Sequence, residues 1–128
     1  MIIDSSALIC LLLGEPEAEF IGRALSQTDR NAMTAATFLE TAMVITNRLG
    51  DAGESALREV LAWASIEVVP VDWEITQLAL NGWRRFGRGR HPAGLNFGDC
   101  FSYALAIQRA EPLLYKGNDF SQTDVTPV

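Results

Sequence analysis

Short apolar segments of strand-like composition alternate along this chain with longer segments whose apolar residues recur at helical spacing. Alternating strands and helices imply a parallel sheet with helices on both faces. In such sheets ligands bind beyond the carboxyl ends of the strands, so the residues that directly follow the strands are candidates for a functional site. We predict strands at Met1–Asp4, Asn31–Thr34, Ile66–Val71 and Pro112–Tyr115, with a possible last strand at Val125–Thr126.

The predicted helices fill the intervals between these strands, and residues that cap helices mark several of their ends. A loop is predicted at Gly87–Asn96, which holds three glycines and a proline. The last helix should carry Phe97, Cys100 and Phe101 on one apolar face, together with Ala104 and Leu105. The helices are predicted at Ser5–Leu13, from Pro16, at Ala35–Leu49, at Gly53–Ala64, from the cap Asp72 to about Phe86, and from the cap Asn96.

The length of 128 residues fits one compact domain covering residues 1–128, large enough to fold without a disulfide. Cys10 and Cys100 have no metal-type spacing and are predicted to be core residues. His91 is the single histidine, which argues against Ser-His-Asp and Cys-His mechanisms. The opening segment lacks a basic start, and Asp4 and Glu15 bracket an apolar run too short for a bilayer, so we expect a cytoplasmic protein without membrane contact.

The charge of this chain is unevenly distributed. The net charge of −6 argues against a nucleic-acid partner, but residues 75–98 contain no acid. Four of the ten basic residues lie in this stretch, which we call the basic window. These arginines could be a solvated surface, but their acid-free context favours contact with RNA phosphates: Arg84, Arg85, Arg88 and Arg90.

Four acids follow strands or begin helices at the predicted carboxyl edge of the sheet. They are Asp4 after the first strand, Glu40 in the helix after the second, Asp99 after the cap Asn96, and Asp119 after the fourth strand. Carboxylates are the ligands that Mg²⁺ and Mn²⁺ prefer, and such ions can orient water and neutralise charge at a phosphodiester. Each acid also has a structural interpretation, as a helix cap, a helix-start charge, a solvated face or a turn residue. Residue types and order alone leave both interpretations open.

The local motifs around these acids resemble those of PIN-domain nucleases, in the same order along nearly the whole chain. Ile3-Asp4-Ser5-Ser6-Ala7 is similar to the family's hydrophobic-Asp-Thr/Ser-Ser-Ala start, and Phe38-Leu39-Glu40-Thr41-Ala42 to the helix with its second acid. Leu95-Asn96-Phe97-Gly98-Asp99 resembles the helix with the third acid, and Leu113 to Phe120 the terminal strand and Asp-Phe turn. The size and the loop around Arg88-Gly89-Arg90-His91 are most similar to bacterial VapC toxins.

The resemblance implies a three-layer α/β/α fold with a central parallel sheet and a toxin of a type II toxin–antitoxin system. It implies an endoribonuclease that uses Mg²⁺ or Mn²⁺ at Asp4, Glu40, Asp99 and Asp119, and leaves 5′-phosphate and 3′-hydroxyl ends. The residues before the fourth acid, from Tyr115 to Gly117, depart from the family pattern, so Asn118 is a possible substitute ligand. Ser6 could support the Asp4 carboxylate or a water, although a serine at a helix start is usually a cap.

The resemblance also implies partners besides RNA: a VapB-type antitoxin, a second copy of the chain in a homodimer, and DNA only indirectly through the antitoxin. The helix at Ala7–Leu13 is apolar nearly all round, so it must be buried in the fold or covered by a partner. We expect apolar residues of the antitoxin to contact this helix and the region around Phe20, while a cationic side chain approaches Asp4, Glu40 and Asp99.

Two other classes of protein fit parts of this pattern. A phosphoacceptor receiver domain has a similar length, an acidic Mg²⁺ pocket and a late lysine such as Lys116. Receivers, however, place an acid pair after the first strand, where Asp4 stands alone, and their acceptor Asp after the third. A PIN-like module that binds without catalysis is the other alternative, and the intact acids argue against it. The sequence does not identify the RNA that is cleaved.

Overall fold

Four parallel strands form the central sheet in the computed structural model, which describes residues 1–128. The strands are β1 (Ile2–Ile3), β2 (Asn31–Thr34), β3 (Ile66–Val69) and β4 (Leu113–Leu114). The helices are α1 (Ser5–Leu13), α2 (Ala18–Ser26), α3 (Ala35–Leu49), α4 (Asp51–Trp63), α5 (Trp73–Phe86) and α6 (Phe97–Arg109). None of the six helices combines the length and the apolar character that crossing a membrane requires.

Side-chain caps fix where four of the helices begin. Asp4, Thr34, Asp72 and Asn96 each accept a hydrogen bond from a backbone N–H in the first turn of the helix that follows. Such a bond satisfies one of the amides that have no partner within the helix. The starts predicted at Ser5, Ala35, Asp72 and Asn96 are therefore confirmed.

The strand order β3-β2-β1-β4 places the functional edge of the sheet. The chain moves outward from β1 through β2 to β3, and then returns to the other side of β1 with β4. The order of the strands reverses between β1 and β4, and ligands of open α/β sheets bind at the carboxyl ends of the strands beside this switch point. A receiver domain has the order 2-1-3-4-5, so this alternative is wrong.

Each face of the sheet carries its own apolar core. Ile2 and Leu113 face a core formed mainly with α5 and α6. Ile3 and Leu114 point to the opposite face, into a core formed with α1, α2 and α4. Successive strand residues point to opposite faces of a sheet, so the two residues of β1 supply one side chain to each core, and so do the two residues of β4. The predicted α/β/α layers are confirmed.

The structure differs from the sequence prediction at several element bounds and in the position of one aromatic residue. α2 begins at Ala18 and not at Pro16, α4 spans Asp51–Trp63 and not Gly53–Ala64, and β3 ends at Val69 and not at Val71. β1 has only two residues because Asp4 leaves the strand to cap α1, and β4, which pairs with β1, also has two. The possible strand at 125–126 is only an isolated bridge between Leu113 and Pro127. Phe97, predicted on the apolar face of α6, is 82% exposed, because it is the first residue of the helix and projects beyond the packed layer.

Candidate active site

Asp4 ends β1 at the switch point and is buried, with 2% of its surface exposed. Its Oδ2 accepts hydrogen bonds from the backbone N–H of Ser6 at 2.9 Å and from the Ser6 hydroxyl at 2.6 Å. Its Oδ1 is also buried but has no hydrogen-bond partner. A buried acceptor without a partner is costly, and a carboxylate oxygen more so than a neutral one. A cation bound at this oxygen would offset the cost of its burial.

Ser6 joins the two strands that flank the switch point. Its hydroxyl donates to Asp4 Oδ2 and accepts a hydrogen bond from the Lys116 backbone N–H at 3.0 Å. Lys116 lies two residues beyond β4. Ser6 therefore orients the Asp4 carboxylate and also fixes the segment that leads to Asp119.

Asp99 is the third residue of α6 and forms a capping box with Asn96. Asp99 is 8% exposed, and burial is the largest cause that raises the pKa of its carboxyl from 3.8 to about 6. The negative charges of Asp4, Asp119 and Glu40 raise it further, while the hydrogen bond from the Asn96 backbone opposes them. The four predicted acids therefore interact electrostatically at Asp99.

Glu40 lies in the second turn of α3 and is half-buried. Burial and the charge of Asp4 raise the pKa of its carboxyl, and the nearby Ser5 hydroxyl opposes the rise. The Glu40 carboxylate also lies against the backbone of Gly98 in α6. Sequence reasoning assigned no role to Ser5 or Gly98. Their contacts with Glu40 are tertiary, so only the family motifs that contain them could have drawn attention to them.

Asp119 and Asn118 lie in the exposed loop after β4. Asp119 is near enough to Asp99 for its charge to raise the pKa of that carboxyl. The Asn118 carbonyl accepts a hydrogen bond from the Ser121 hydroxyl at 2.7 Å, a contact that stabilises the turn. Asp119 therefore lies near Asp99, whereas the hydrogen bond of Asn118 is made by its backbone carbonyl and not by its side chain.

Buried hydroxyl groups connect α3 and α6 directly beneath the acids. The Thr37 hydroxyl lies 2.9 Å from that of Thr34 and 3.3 Å from that of Ser102. Thr37 precedes Glu40 by three residues, and Ser102 follows Asp99 by three, which is one helical turn in each case. This network fixes the separation of the helices that carry two of the acids.

The chemistry of these side chains fits a hard divalent cation, which takes carboxylate oxygens and water. Asp4 offers a buried, unpartnered oxygen, and the charges of neighbouring acids raise the pKa of the Glu40 and Asp99 carboxyls, as expected where a positive charge belongs. The four acids do not, however, form a group of three ligand atoms within 4.8 Å of one another. Water would have to complete the coordination of an ion between them, as is common for Mg²⁺.

A tighter group of potential ligands, which the sequence did not predict, lies at the end of α1. Cys10, Glu15 and Glu17 have ligand atoms within 4.8 Å of one another. The Lys116 ammonium lies 2.5 Å from Glu15 Oε2 and 3.2 Å from Glu17 Oε2, so a cationic side chain already pairs with both carboxylates of this group. Cys10 is buried, as predicted for a core residue, and burial raises the pKa of its thiol.

The basic window divides into arginines with and without acidic partners. Arg85 forms an ion pair with Asp124 at 2.8 Å and donates to the Tyr103 hydroxyl at 3.1 Å. Arg90 lies over the Trp83 ring, with 4.1 Å between its guanidinium carbon and the ring centroid. Arg84, Arg88 and Arg90 are all exposed, and none of them forms an ion pair. Three of the four predicted arginines are thus free to meet an anion.

An apolar cleft of about 480 Å³ adjoins Glu40 and Gly98. Leu39, Met43 and Phe97 line it and are 58%, 64% and 82% exposed. Large apolar side chains gathered in one exposed cleft are typical of interaction sites. Ala7, Leu8 and Cys10 of α1 are buried in the fold, whereas Ile9 and residues 11–13 are half-buried and Phe20 of α2 is 47% exposed. The expected contact of a partner with this region stays a prediction.

The sequence profile of the PIN domain matches residues 1–125 of this chain. The chain therefore belongs to the PIN-domain family, and within it to the VapC ribonucleases, hydrolases that act on RNA. It is 47% identical to "Ribonuclease VapC" of Mycolicibacterium smegmatis, over 100% of this chain and 99% of that protein. It is 44% identical to "Ribonuclease VapC30" of Mycobacterium tuberculosis, over 100% of this chain and 98% of that protein.

Two solved structures share the fold of this chain. Mycobacterium tuberculosis VapC20, a toxin that cleaves the sarcin-ricin loop, superposes with a TM-score of 0.81 at 16% sequence identity. A toxin–antitoxin complex from Klebsiella pneumoniae gives a TM-score of 0.73 at 21% identity. Each alignment covers 99% of this chain and 97% of the other. At these identities the likeness concerns the fold alone.

Proposed function

We propose that this chain is the toxin of a type II toxin–antitoxin system, an endoribonuclease that uses Mg²⁺ or Mn²⁺ in the cytoplasm. Asp4, Glu40, Asp99 and Asp119 would hold the cation, with Ser6 orienting Asp4. The observation that carries this proposal is the buried Asp4 Oδ1, which has no hydrogen-bond partner and lies where the strand order reverses. The names of the relatives, which are VapC ribonucleases, support the same reaction.

In this mechanism the residues of the chain provide orientation and charge. When bound, the cation supplies positive charge that activates water and neutralises the phosphodiester as hydrolysis proceeds. The Ser6 hydroxyl holds Asp4 Oδ2, and Oδ1, which has no partner, would be available to hold the cation. The Asn96 N–H holds Asp99 Oδ2 in the same way. Arg84, Arg88 and Arg90 bind RNA phosphates that flank the cleaved bond. Hydrolysis of that bond leaves 5′-phosphate and 3′-hydroxyl ends.

Cleavage of RNA by purified Asp4→Asn and Asp99→Asn variants tests this proposal. Each substitution removes a ligand charge but keeps an oxygen of similar shape, so the fold should persist. We expect activity to fall by about 100-fold or more, as for loss of a group that stabilises the transition state. Glu59→Gln, which removes a charge from an exposed acid on α4, should leave cleavage unchanged. Full activity of either Asp variant, or of the wild-type protein in EDTA, contradicts the metal site.

The proposed protein partners are a VapB-type antitoxin and a second copy of the chain. The cleft of Leu39, Met43 and Phe97 adjoins the acids, so one antitoxin segment could place apolar residues in the cleft and a cation at the acids. A structural relative was solved as a toxin–antitoxin complex. DNA would be reached only through the antitoxin.

A homodimer is supported by the extent of apolar surface elsewhere. Trp73 on α5 is 75% exposed and Trp63 on α4 is 58% exposed, which is unusual for large aromatic residues of a monomer. Light scattering of the purified chain coupled to size exclusion measures its mass directly. A mass of 14.0 kDa at all concentrations would contradict the homodimer.

A further inference from the structure

Gly98, the second residue of α6, lies in contact with the Glu40 carboxylate. A methyl group placed with ideal geometry on its Cα would lie 2.5 Å from Glu40 Oε2 and 2.7 Å from Oε1. These separations are shorter than van der Waals contact allows. The φ angle of Gly98 is not positive, so the helical backbone could accommodate any side chain there. The glycine is therefore required by space and not by backbone conformation.

The other glycines in tight contacts make room for different groups. Added carbons at Gly82 and Gly53 would meet the Tyr103 ring and the Ile45 side chain, and at Gly87 would meet Trp83. Those glycines permit the close approach of apolar side chains and of backbone carbonyl groups. Gly98 alone admits a carboxylate, and it does so directly before Asp99.

Glycine within a helix is less favourable than alanine, so an alanine at position 98 would by itself strengthen α6. The first amides of a helix have no partner within it and present partial positive charge. The missing side chain lets the Glu40 carboxylate approach this end of α6, where the partial positive charge of the helix favours it. A methyl group would push the carboxylate away, since it is the mobile end of a flexible side chain.

We propose that Gly98 is a positioning residue, whose missing side chain sets the location of the Glu40 carboxylate in the metal site. This inference rests on the proposed function. It predicts that Gly98→Ala weakens Mn²⁺ binding by roughly 10- to 100-fold, the range for groups that orient metal ligands. The thermal unfolding temperature should not fall. Gly22→Ala in α2, where the nearest atom lies 3.7 Å from the added carbon, is the matched control and should bind Mn²⁺ normally.

A second substitution separates displacement of Glu40 from other effects of the methyl group. Glu40→Asp shortens the side chain by one methylene, so alone it withdraws the carboxylate and weakens Mn²⁺ binding. In the Gly98→Ala background the same substitution relieves the contact and should strengthen Mn²⁺ binding. The four proteins would be titrated with Mn²⁺ by calorimetry, and the reversal of sign is the expected result.

Three outcomes of this titration would overturn the inference. Wild-type affinity in Gly98→Ala, with normal Mn²⁺ binding by the wild-type protein, contradicts the role of Gly98 but not the metal site. An equal loss from Glu40→Asp in both backgrounds means that Gly98 does not act through Glu40. No Mn²⁺ binding by the wild-type protein removes both this inference and the proposed function.

Discussion

The backbone N–H of Asn96 donates to Asp99 Oδ2 at 2.8 Å, and the Asp99 N–H donates to Asn96 Oδ1 at 2.9 Å. This reciprocal pair begins α6 and also fixes the orientation of a proposed metal ligand. One carboxylate oxygen belongs to the helix cap, while the other remains for the cation. Asp99 therefore serves both the fold and the site. Loss of its charge should raise the stability of the metal-free protein and weaken the binding of a cation.

Asp99→Asn should stabilise the metal-free protein at neutral pH. The pKa of Asp99 is raised from 3.8 to about 6. Between about pH 4 and pH 6 its carboxyl is therefore protonated in the folded state but ionised in the unfolded state. Its contribution to stability is complete below pH 4, is lost as the pH rises to about 6, and stays lost above. The loss is up to roughly 3 kcal/mol, because one pKa unit corresponds to about 1.36 kcal/mol.

Urea unfolding in EDTA at several pH values measures this effect. The free energy of unfolding of Asp99→Asn should exceed that of the wild-type protein at pH 7.5, and the difference should vanish near pH 4. Glu59→Gln controls for net charge, because Glu59 is an exposed acid on α4 without an ion pair. A variant that is less stable than the wild-type protein at pH 7.5 would show that the capping role of Asp99 dominates.

Thr37→Val should destabilise the protein by about 1–3 kcal/mol, because it leaves the buried Ser102 hydroxyl without a partner and leaves the Thr34 hydroxyl only the bond that it accepts from the backbone of residue 37. Thr37→Ser keeps the hydroxyl and should retain most of the stability. Thr76→Val is the exposed control, since its hydroxyl bonds only to the Asp72 carbonyl on the surface of α5. Equal unfolding midpoints in urea for Thr37→Val and Thr76→Val would contradict this role.

Replacing Arg84, Arg88 and Arg90 together with glutamine should weaken RNA binding and make its salt dependence shallower. Each lost contact with a phosphate of single-stranded RNA reduces the slope of log affinity against log salt by about 0.7, so the triple variant should lose about 2. Fluorescence anisotropy in the Asp4→Asn background measures binding without cleavage. Arg48→Gln, at the exposed end of α3, should leave the slope unchanged.

Arg85 should behave differently from its neighbours in the same assay. Its guanidinium is held by Asp124 and Tyr103, so Arg85→Gln should lower stability more than RNA affinity. An equal change of salt slope for all four arginines would contradict the division of the basic window.

Antitoxin and Mn²⁺ should compete for the acids. If a cationic side chain of the antitoxin approaches Asp4, Glu40 and Asp99, each ligand lowers the affinity for the other by the same factor. Antitoxin affinity should therefore fall as Mn²⁺ rises, and Asp99→Asn should weaken it at all Mn²⁺ concentrations. Calorimetric titration of the purified pair measures both effects.

The apolar part of this contact has its own control. Phe97→Ser, in the cleft, should weaken antitoxin binding, while Leu49→Ser, which changes an exposed apolar residue at the end of α3, should not. Antitoxin affinity that is independent of Mn²⁺, Asp99 and Phe97 would mean that the partner binds elsewhere.

Local chemistry made most of the fold predictable from sequence. Caps such as Asp72 and Asn96 act within three residues of themselves, so they identify helix starts without tertiary information. The order of the acids after strands likewise places them at one edge, because parallel strands end together. Strand length was less predictable, since Asp4 could continue β1 or cap α1, and only packing decides between them.

The contacts that complete the site could not be predicted in the same way. Gly98 meets Glu40 and Ser102 meets Thr37 across two helices, and nothing in either segment alone indicates its partner. By sequence Arg85 is equivalent to the other arginines of the basic window, because its ion-pair partner Asp124 lies 39 residues away near the end of the chain. Phe97 looked like a core residue because helical spacing places it on the apolar face, but spacing does not say where the packed layer stops.

The hydrogen bond from the Lys116 backbone to the Ser6 hydroxyl joins residues separated by 110 positions. A ribosome synthesises Asp4 among the first residues of the chain, yet β1 can pair with β4 only after Leu114 has emerged from the exit tunnel. Partly translated chains therefore contain Asp4, Glu40 and even Asp99 without the support that orients them. The site of this chain is therefore complete only after nearly the whole domain has been synthesised.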